Sequence, residues 1–246
     1  MDETDMKLNI MTFNTQHCRN FRTGLIDYDI MANAITDCKA DIVGLNEMRG
    51  LGRDREDYDE QVKFLSERTG LSYYYFGEAI RFCGVNPYGN GFLSKYPISE
   101  AHTVIIPDPP KEGRNKNGYY ETRCILCATV DVGTKLNVRV CHFGLMPEEK
   151  ENAVWTLTEN LPMENCVLMG DFNMKPDDKL LLPIKARMKD TAEKFGCERL
   201  SFPSDNPTEK IDYIFVSRNI EVIGADIPEI IASDHRPHTA EVEIKL

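Results

Sequence analysis

The chain lacks a long apolar run, and its start lacks the basic stretch that precedes the apolar part of a signal peptide. Its first residues, Met1–Asp5, are acidic and lead directly into a strand-like run. A membrane-spanning helix needs about 20 mostly apolar residues, and a signal peptide needs a basic region before its apolar core. The sequence therefore predicts no transmembrane segment and a cytoplasmic protein, or a secreted one if a leader has been removed.

Positive charge is also scarce. Lys and Arg number 29 against 40 Asp and Glu, which gives a net charge of −11. Proteins that hold long nucleic acid do so largely through basic residues that neutralise phosphates. Nucleic acid is therefore a disfavoured partner, although it is not excluded, because a bound metal ion can offset acidic residues locally.

Cysteine pairs with metal-ligand spacing are nearly absent. Among eight cysteines, Cys124 and Cys127 form the one CxxC, and they lie in a strand-like run, where residues three apart point to opposite faces. No second pair completes a zinc set. Small buried apolar residues in a reducing compartment are the favoured interpretation, ahead of a zinc site or a disulfide framework.

No Ser-, Gly- or Pro-rich linker divides the 246 residues, of which 41% are hydrophobic and 28% charged. This composition is that of an ordinary globular protein. We expect one domain over residues 1–246 and a monomer. The loop Pro107–Gly118 is the longest irregular segment, and its basic residues leave two interpretations open, a solvated surface loop or a contact for an anionic substrate.

Apolar patterning predicts a mixture of strands and helices. Strand-like runs lie at Leu8–Asn14, Asp41–Asn46, Tyr73–Gly77, Gly91–Ser94, Cys124–Val130, Leu136–His142, Cys166–Gly170, Ile211–Val216, Glu221–Ala225 and His238–Ile244. Helical spacing occurs at Tyr28–Cys38, Tyr58–Thr69 and Glu148–Leu161, the last with Trp155 as an expected core anchor. Because several strands follow one another directly, we expect a mixed sheet or two packed sheets with outer helices.

Short polar groups stand where several strand-like runs begin or end. Asn14, Glu47, Asp171 and Asn173 follow such runs, and Asp212 lies at the start of another. Singly, each is ordinary, since a strand-end Glu is usually a surface residue and an Asn a cap or turn residue. Together they supply the oxygen ligands that Mg²⁺ takes and the acid–base groups that phosphate-ester hydrolysis needs.

Two of the five histidines follow strand-end or acidic groups. His142 follows a strand-like run and His235 follows Asp234, which makes both candidates for acid–base work near neutral pH. A histidine base needs an orienting acceptor on its other nitrogen, and Asp212 is the expected partner of His235. His17 is close enough in sequence to Asn14 to line the same site, whereas His102 and His238 are expected to be structural.

In order and spacing, these groups resemble the endonuclease/exonuclease/phosphatase superfamily of metal-dependent phosphoesterases. The resemblance extends from Asn9 to Glu243 and rests on the motifs TFN, LNE, GNGFLSKYPI, CHF, GDFN, IDYIFVS and SDHRP. It implies an α/β (α+β) fold, a four-layer α/β/β/α sandwich with two central mixed β-sheets. The site would lie at one edge, where strand ends of both halves meet.

The resemblance also implies roles for individual residues. The metal ion, Mg²⁺ with Mn²⁺ as an alternative, would be bound by Asn14, Glu47 and Asp234. The catalytic residues would be His142, Asp171, Asn173, Asp212 and His235. The phosphate-ester substrate would be contacted by Asn90 and Arg123, the latter through bidentate contact with phosphate oxygens.

Three positions depart from the family pattern, and the last two of them indicate the branch. LNE stands in place of LQE, and Cys141–Gly144 carries His142 where abasic-site endonucleases have Tyr-x-Pro-Asn; Gln16 also replaces an acidic residue of that branch. The chain therefore resembles the deoxyribonuclease/sphingomyelinase-like branches more closely, in which that histidine is a second acid or leaving-group donor. We expect a Mg²⁺-dependent hydrolase, foremost a phosphodiesterase acting on a small, lipid or nucleotide phosphodiester. The alternatives are a metal-dependent nuclease on DNA or RNA and a noncatalytic binding module on the same fold.

Overall fold

The computed structural model describes residues 5–53, 59–194 and 199–246, and these ranges contain two six-stranded sheets. The first sheet has the order β11-β12-β1-β2-β4-β3 and contains β1 (Met6–Asn14), β2 (Ile42–Arg49), β3 (Tyr73–Phe82), β4 (Asn86–Ser94), β11 (Glu221–Asp226) and β12 (His238–Ile244). The second has the order β5-β6-β7-β8-β10-β9 and contains β5 (Ile98–Ile105), β6 (Cys124–Asp131), β7 (Lys135–His142), β8 (Cys166–Asp171), β9 (Met188–Asp190) and β10 (Asp212–Ser217).

Helices cover the outer faces of both sheets. They are α1 (Tyr28–Asp37), α2 (Gln61–Thr69), α3 (Pro147–Glu159), α4 (Leu182–Arg187) and α5 (Thr191–Lys194), with 3-10 turns at Lys111–Gly113 and Lys179–Leu181. One apolar core lies between the sheets, a second joins α1 and α2 to the first sheet, and a third joins α3 and α4 to the second. These four layers confirm the predicted α/β/β/α sandwich. All described helices are too short or too polar to cross a bilayer.

The strand register gathers the polar groups at one edge. β1 and β2 run parallel and pair Asn14 with Asn46, while β7 and β8 run parallel and pair His142 with Asp171. β10 runs antiparallel to β8 and places Asp212 opposite Asp171. Because parallel strands end on the same side of a sheet, residues distant in sequence become neighbours at this edge.

One glycine is required for this register. Gly170 has φ +145°, and a Cβ atom there would lie 1.8 Å from the carbonyl oxygen of Cys141 on the neighbouring strand. Only glycine permits such an approach of two backbones. The glycine of the Gly170–Asn173 motif is therefore a packing requirement that places Asp171.

The predicted elements agree with the structure except at a few points. The short or polar edge strands β5 and β9 and the helices α4 and α5 were not predicted, and the predicted start of α2, Tyr58, lies outside the described residues. The expectation that Trp155 is a core anchor is wrong, since this residue is 63% exposed. At 100° per residue, Trp155 lies opposite the buried Ala153 and Leu157 on α3.

Candidate active site

A cavity of about 420 Å³ opens where the strand ends meet. Its wall contains most of the predicted site residues, namely Glu47, Arg123, His142, Asp171, Asn173, Asp234 and His235. Two others, Asn14 and Asp212, are fully buried and contact residues of the wall. The structure thus collects side chains from both sheets around one space.

Asp171 is the central carboxylate of this cavity. Its Oδ2 accepts a hydrogen bond from Asn14 Nδ2 at 3.0 Å and lies 3.5 Å from His142 Nε2 and 3.7 Å from His235 Nε2. Its Oδ1 accepts the backbone N–H of Asn173 at 2.9 Å. Burial raises the pKa of Asp171 to about 7, against the opposing effect of His235. A carboxylate with that pKa can both accept and release a proton near neutral pH.

His235 is held between carboxylates. Its Nδ1 lies 2.9 Å from Asp212 Oδ2, the pairing that the sequence predicts, and the Phe202 ring packs on the imidazole with centroids 4.7 Å apart. Burial opposes protonation, but Asp212 and Asp171 outweigh it and raise the pKa of His235 to about 10. At neutral pH this side chain is therefore an imidazolium, which donates hydrogen bonds and is a poor base.

Glu47 projects into the cavity from a bulge in β2. The bulge lies between Leu45 and Met48, and Glu47 has φ +61°, which turns its side chain out of the regular alternation. Its Oε1 accepts from Asn14 Nδ2 at 3.2 Å, and His17 Nδ1 lies 3.7 Å from Oε2. Burial opposes ionisation, yet His17 and the other polar neighbours hold the pKa of Glu47 well below its usual range. The carboxylate is ionised and partly exposed to the cavity.

A left-handed segment after β1 completes this side of the wall. Gln16, His17 and Cys18 all have φ between 47° and 61°, a conformation that L-residues rarely adopt in succession. It directs Gln16 Nε2 to Asp234 Oδ2 at 2.9 Å, and Asp234 Oδ1 accepts from Ser233 Oγ at 2.9 Å. Sequence reasoning missed the Gln16 contact; its only signal was the departure of Gln16 from the family pattern.

Two of the predicted site residues, Asn14 and Asn90, make hydrogen bonds within the protein. Asn14 donates from its Nδ2 to the carboxylates, while its Oδ1 accepts the backbone N–H of Gln16 at 3.1 Å. Its role as a metal ligand stays a prediction. Asn90 is 2% exposed, and its Nδ2 donates to the Cys124 carbonyl at 3.0 Å. It lies behind the cavity, where it links the two sheets.

Asn46 was not predicted as a site residue, although it precedes Glu47 in the LNE motif. Its Nδ2 donates to Asn90 Oδ1 and to the Cys141 carbonyl, both at 2.9 Å. Its Oδ1 accepts the backbone N–H of Asp171 at 3.0 Å. Asn46 therefore ties β2 to β4 and to both parallel strands of the second sheet directly beneath Asp171.

Arg123 contacts a histidine of the wall. Its Nη1 lies 2.9 Å from His142 Nδ1 and 2.8 Å from Glu121 Oε1. Burial and the guanidinium together hold the pKa of His142 well below its usual range. Glu121, which sequence reasoning missed, also accepts the Tyr119 hydroxyl at 2.8 Å. In the loop 107–118, Arg114 instead bonds the Pro109 carbonyl at 2.9 Å.

One group in the described part of the chain has three ligand atoms close enough to hold a metal ion. Asp171, Asp212 and His235 each offer one such atom, and these atoms lie within 4.8 Å of one another. Asp212 Oδ1 is buried and has no hydrogen-bond partner among the described residues. Glu47 and Asp234 offer further carboxylate oxygens on the cavity wall.

Comparisons with known proteins agree with this architecture. The sequence model of the Endonuclease/Exonuclease/phosphatase family matches residues 11–235. No curated protein matches the chain in sequence.

Solved structures share the fold over nearly the whole chain. An endonuclease/exonuclease/phosphatase from Beutenbergia cavernae DSM 12333 superposes with a TM-score of 0.75 at 21% identity, over 97% of this chain and 72% of that one. A mannosyl-6-phosphatase from Bacteroides thetaiotaomicron VPI-5482 gives 0.68 at 18% identity, over 96% and 99%. D. rerio TDP2 complexed with a single-strand DNA product gives 0.64 at 17% identity, over 97% and 99%.

Proposed function

The chain belongs to the endonuclease/exonuclease/phosphatase family, and on that premise we propose that it hydrolyses phosphodiesters with a bound Mg²⁺ ion. Membership makes it a metal-dependent phosphoesterase. The observation that carries the finer proposal is the composition of the cavity. An ionised carboxylate, a carboxylate with a pKa of about 7 and an imidazole that is protonated at neutral pH face one space.

The wall of the cavity fits a hard divalent cation. Glu47 is an ionised carboxylate, and Asp234 supplies a second carboxylate on the same wall. Mg²⁺ takes oxygen ligands and keeps several waters, so one or two carboxylates suffice, and Mn²⁺ suits the same donors. Bound there, the ion would supply positive charge to the phosphate oxygens. Glu47 and Asp234 are held for this by hydrogen bonds from Asn14 and Gln16.

The buried group formed by Asp171, Asp212 and His235 is better suited to proton transfer than to metal binding. Both nitrogens of His235 already face carboxylates, and the ring carries a proton that a metal ion would have to displace. We assign Asp171 to accept the proton of the attacking water, since the Asn14 and Asn173 hydrogen bonds fix its orientation. His235, oriented by Asp212, donates to a phosphoryl oxygen and stabilises its growing charge while the P–O bond to the leaving group breaks. The leaving oxyanion then takes a proton from solvent water.

The cavity favours an ester with one negative charge and an organic group. Arg123 is already paired with Glu121 at 2.8 Å, which leaves less positive charge for a dianionic monoester. Tyr119 is 56% exposed and Leu145 46% exposed at the rim, where they offer apolar surface. These features suit a small, lipid or nucleotide phosphodiester.

A nuclease on DNA or RNA is the second candidate. The observation in its favour is the ring surface of Phe82, Tyr119 and Phe202 around the cavity, because nucleobases stack on aromatic side chains. The net charge of −11 is against a long nucleic acid. A noncatalytic binding module is disfavoured because the acid, amide and imidazole groups are all present around the cavity.

The test is a hydrolysis panel with Mg²⁺ and with EDTA. It covers a bis-aryl phosphate, an aryl monophosphate, single-stranded DNA and RNA, sphingomyelin and inositol phosphates. We expect Mg²⁺-dependent cleavage of diesters ahead of monoesters, and loss of that cleavage in His235→Ala but not in His102→Ala, which alters an exposed histidine. Absence of diester cleavage, or full activity of His235→Ala, would reject the proposal.

A further inference from the structure

The two histidines of the cavity have opposite partners. His235 faces Asp212 and Asp171, whereas the Nδ1 of His142 faces the guanidinium of Arg123 at 2.9 Å. An imidazole that is to act as a general acid is normally paired through its far nitrogen with an acceptor, which stabilises its cationic form. His142 has a donor in that place.

The Arg123 contact determines which nitrogen of His142 carries the proton. A guanidinium has only donors and stays protonated in proteins. An Arg123 N–H directed at His142 Nδ1 therefore requires a lone pair on Nδ1. The ring proton must then be on Nε2, which lies 3.5 Å from Asp171 Oδ2 on the wall of the cavity.

We propose that Arg123 is a positioning residue that locks His142 as the neutral Nε2–H tautomer, so that His142 donates a hydrogen bond to a phosphoryl oxygen and does not deliver a proton as an imidazolium. The hydrogen bond from His142 to a phosphoryl oxygen rests on the proposed function, but the tautomer of His142 does not. The inference revises the expectation that His142 is a second acid, and it gives Arg123 a task other than direct phosphate contact.

The surroundings of His142 support the neutral form. The His142 side chain is 6% exposed, so that a second positive charge next to Arg123 would be poorly solvated. Arg123 is itself fixed by Glu121, whose other oxygen is held by the hydroxyl of Tyr119. The charged or titratable groups that face His142 are Arg123, Glu47, Asp171 and His235.

The tautomer is measured directly by ¹H–¹⁵N correlation NMR of metal-free protein with ¹⁵N-labelled histidine. His142 is assigned as the signal absent from His142→Gln. We expect a protonated Nε2 and an unprotonated Nδ1 from about pH 5 to about pH 8. A proton on Nδ1, or an imidazolium at pH 6, would overturn the proposal whether or not the protein has any activity.

Arg123→Met tests whether Arg123 is the cause of the neutral Nε2–H tautomer of His142. We expect a mixture of tautomers and a His142 pKa higher than in wild type, because burial still opposes protonation but the guanidinium no longer does. Arg139→Met is the matched control: Arg139 is a partly buried arginine on the same strand as His142, and it contacts backbone carbonyls instead. An unchanged His142 signal in folded Arg123→Met would contradict the proposal, and if that variant does not fold, the wild-type spectrum alone decides.

Kinetics separate a hydrogen-bond donor from an acid. The side-chain amide of Gln supplies an N–H close to the position of His Nε2 but cannot act as an acid. On the diester that the panel identifies, we expect His142→Ala to lose about 10²–10³ in kcat and His142→Gln to stay within about tenfold of wild type. Equal loss in both variants, growing with the pKa of the leaving group, would show proton delivery and refute the inference.

Discussion

Replacement of Asn46 by Ala tests whether the hydrogen bonds of this side chain stabilise the fold and hold the Asp171 backbone in place. Asn46 is fully buried and makes three hydrogen bonds, to Asn90 Oδ1, to the Cys141 carbonyl and from the Asp171 N–H. Alanine removes all three hydrogen bonds. The Asn90 Oδ1 and the Cys141 carbonyl then lose this donor, and the Asp171 N–H loses this acceptor. Because these partners belong to β4, β7 and β8, the loss falls on the contact between the two sheets.

The expected cost follows from those three contacts. A buried polar group that loses its partner costs about 1–3 kcal/mol, so three such groups give roughly 3–9 kcal/mol. Water that enters the vacated space can restore some of the bonds. We therefore expect the free energy of unfolding to fall by about 3–5 kcal/mol, which is a large part of the stability of an ordinary domain.

Urea unfolding with an unchanged m-value measures this loss. The control is Asn160→Ala. Within the described residues, the Asn160 side chain makes one hydrogen bond, to the Thr156 carbonyl near the end of α3, so this substitution should cost about 1 kcal/mol. At a temperature where Asn46→Ala is folded, we expect kcat to fall as well, because the Asp171 backbone loses a fixed contact. A loss of stability no larger than that of Asn160→Ala would refute the reasoning.

Three further predictions concern metal and pH. In thermal melts, Mg²⁺ at 100 times Kd should raise the stability of wild type by about 2.7 kcal/mol and leave that of Glu47→Gln unchanged. If Mg²⁺ stabilised both proteins equally, the ion would bind at a site without Glu47. Since the pKa of His235 is raised to about 10, its contribution to stability is complete below about pH 6.5 and is lost as the pH rises through 10. In EDTA, Asp212→Asn should flatten this decline in stability. An unchanged pH profile would contradict the pairing of His235 with Asp212. Burial lowers the pKa of His238 to about 3, so stability should fall by about 2 kcal/mol as the pH drops from 6.5 to 4.5. His238→Asn should remove this slope, and His102→Asn should keep it.

The sequence predicted the central strands well because each is a nearly continuous apolar run. β8 is buried at every position from Cys166 to Asp171, as expected of a strand covered on both faces. β5 escaped prediction because Ile98–Ile105 is an edge strand with mostly half-exposed or exposed side chains, and it carries little periodic signal. The apolar pattern therefore predicts the middle of each sheet better than its edges.

Seven residues of the cavity wall were predictable because their positions follow from strand ends and motifs. The roles of Asn14, Asn46 and Asn90 were not, because an amide offers both a donor and an acceptor, and its partner decides which is used. Asn14 donates between two carboxylates, and Asn90 is turned away to link the sheets. Such contacts join residues 30 or more positions apart and leave no local pattern in the sequence.

The protonation states of the two histidines also depend on partners that are distant in sequence, so the sequence does not predict them. In sequence, His142 and His235 are equivalent candidates for acid–base work. In the fold, carboxylates hold His235 as a cation, while burial and Arg123 both oppose protonation of His142. Two donors of different charge thus face the same cavity, one imidazolium and one neutral imidazole, with Asp171 between them as the acceptor. The partners of the histidines, more than the histidines themselves, determine what chemistry this site can perform.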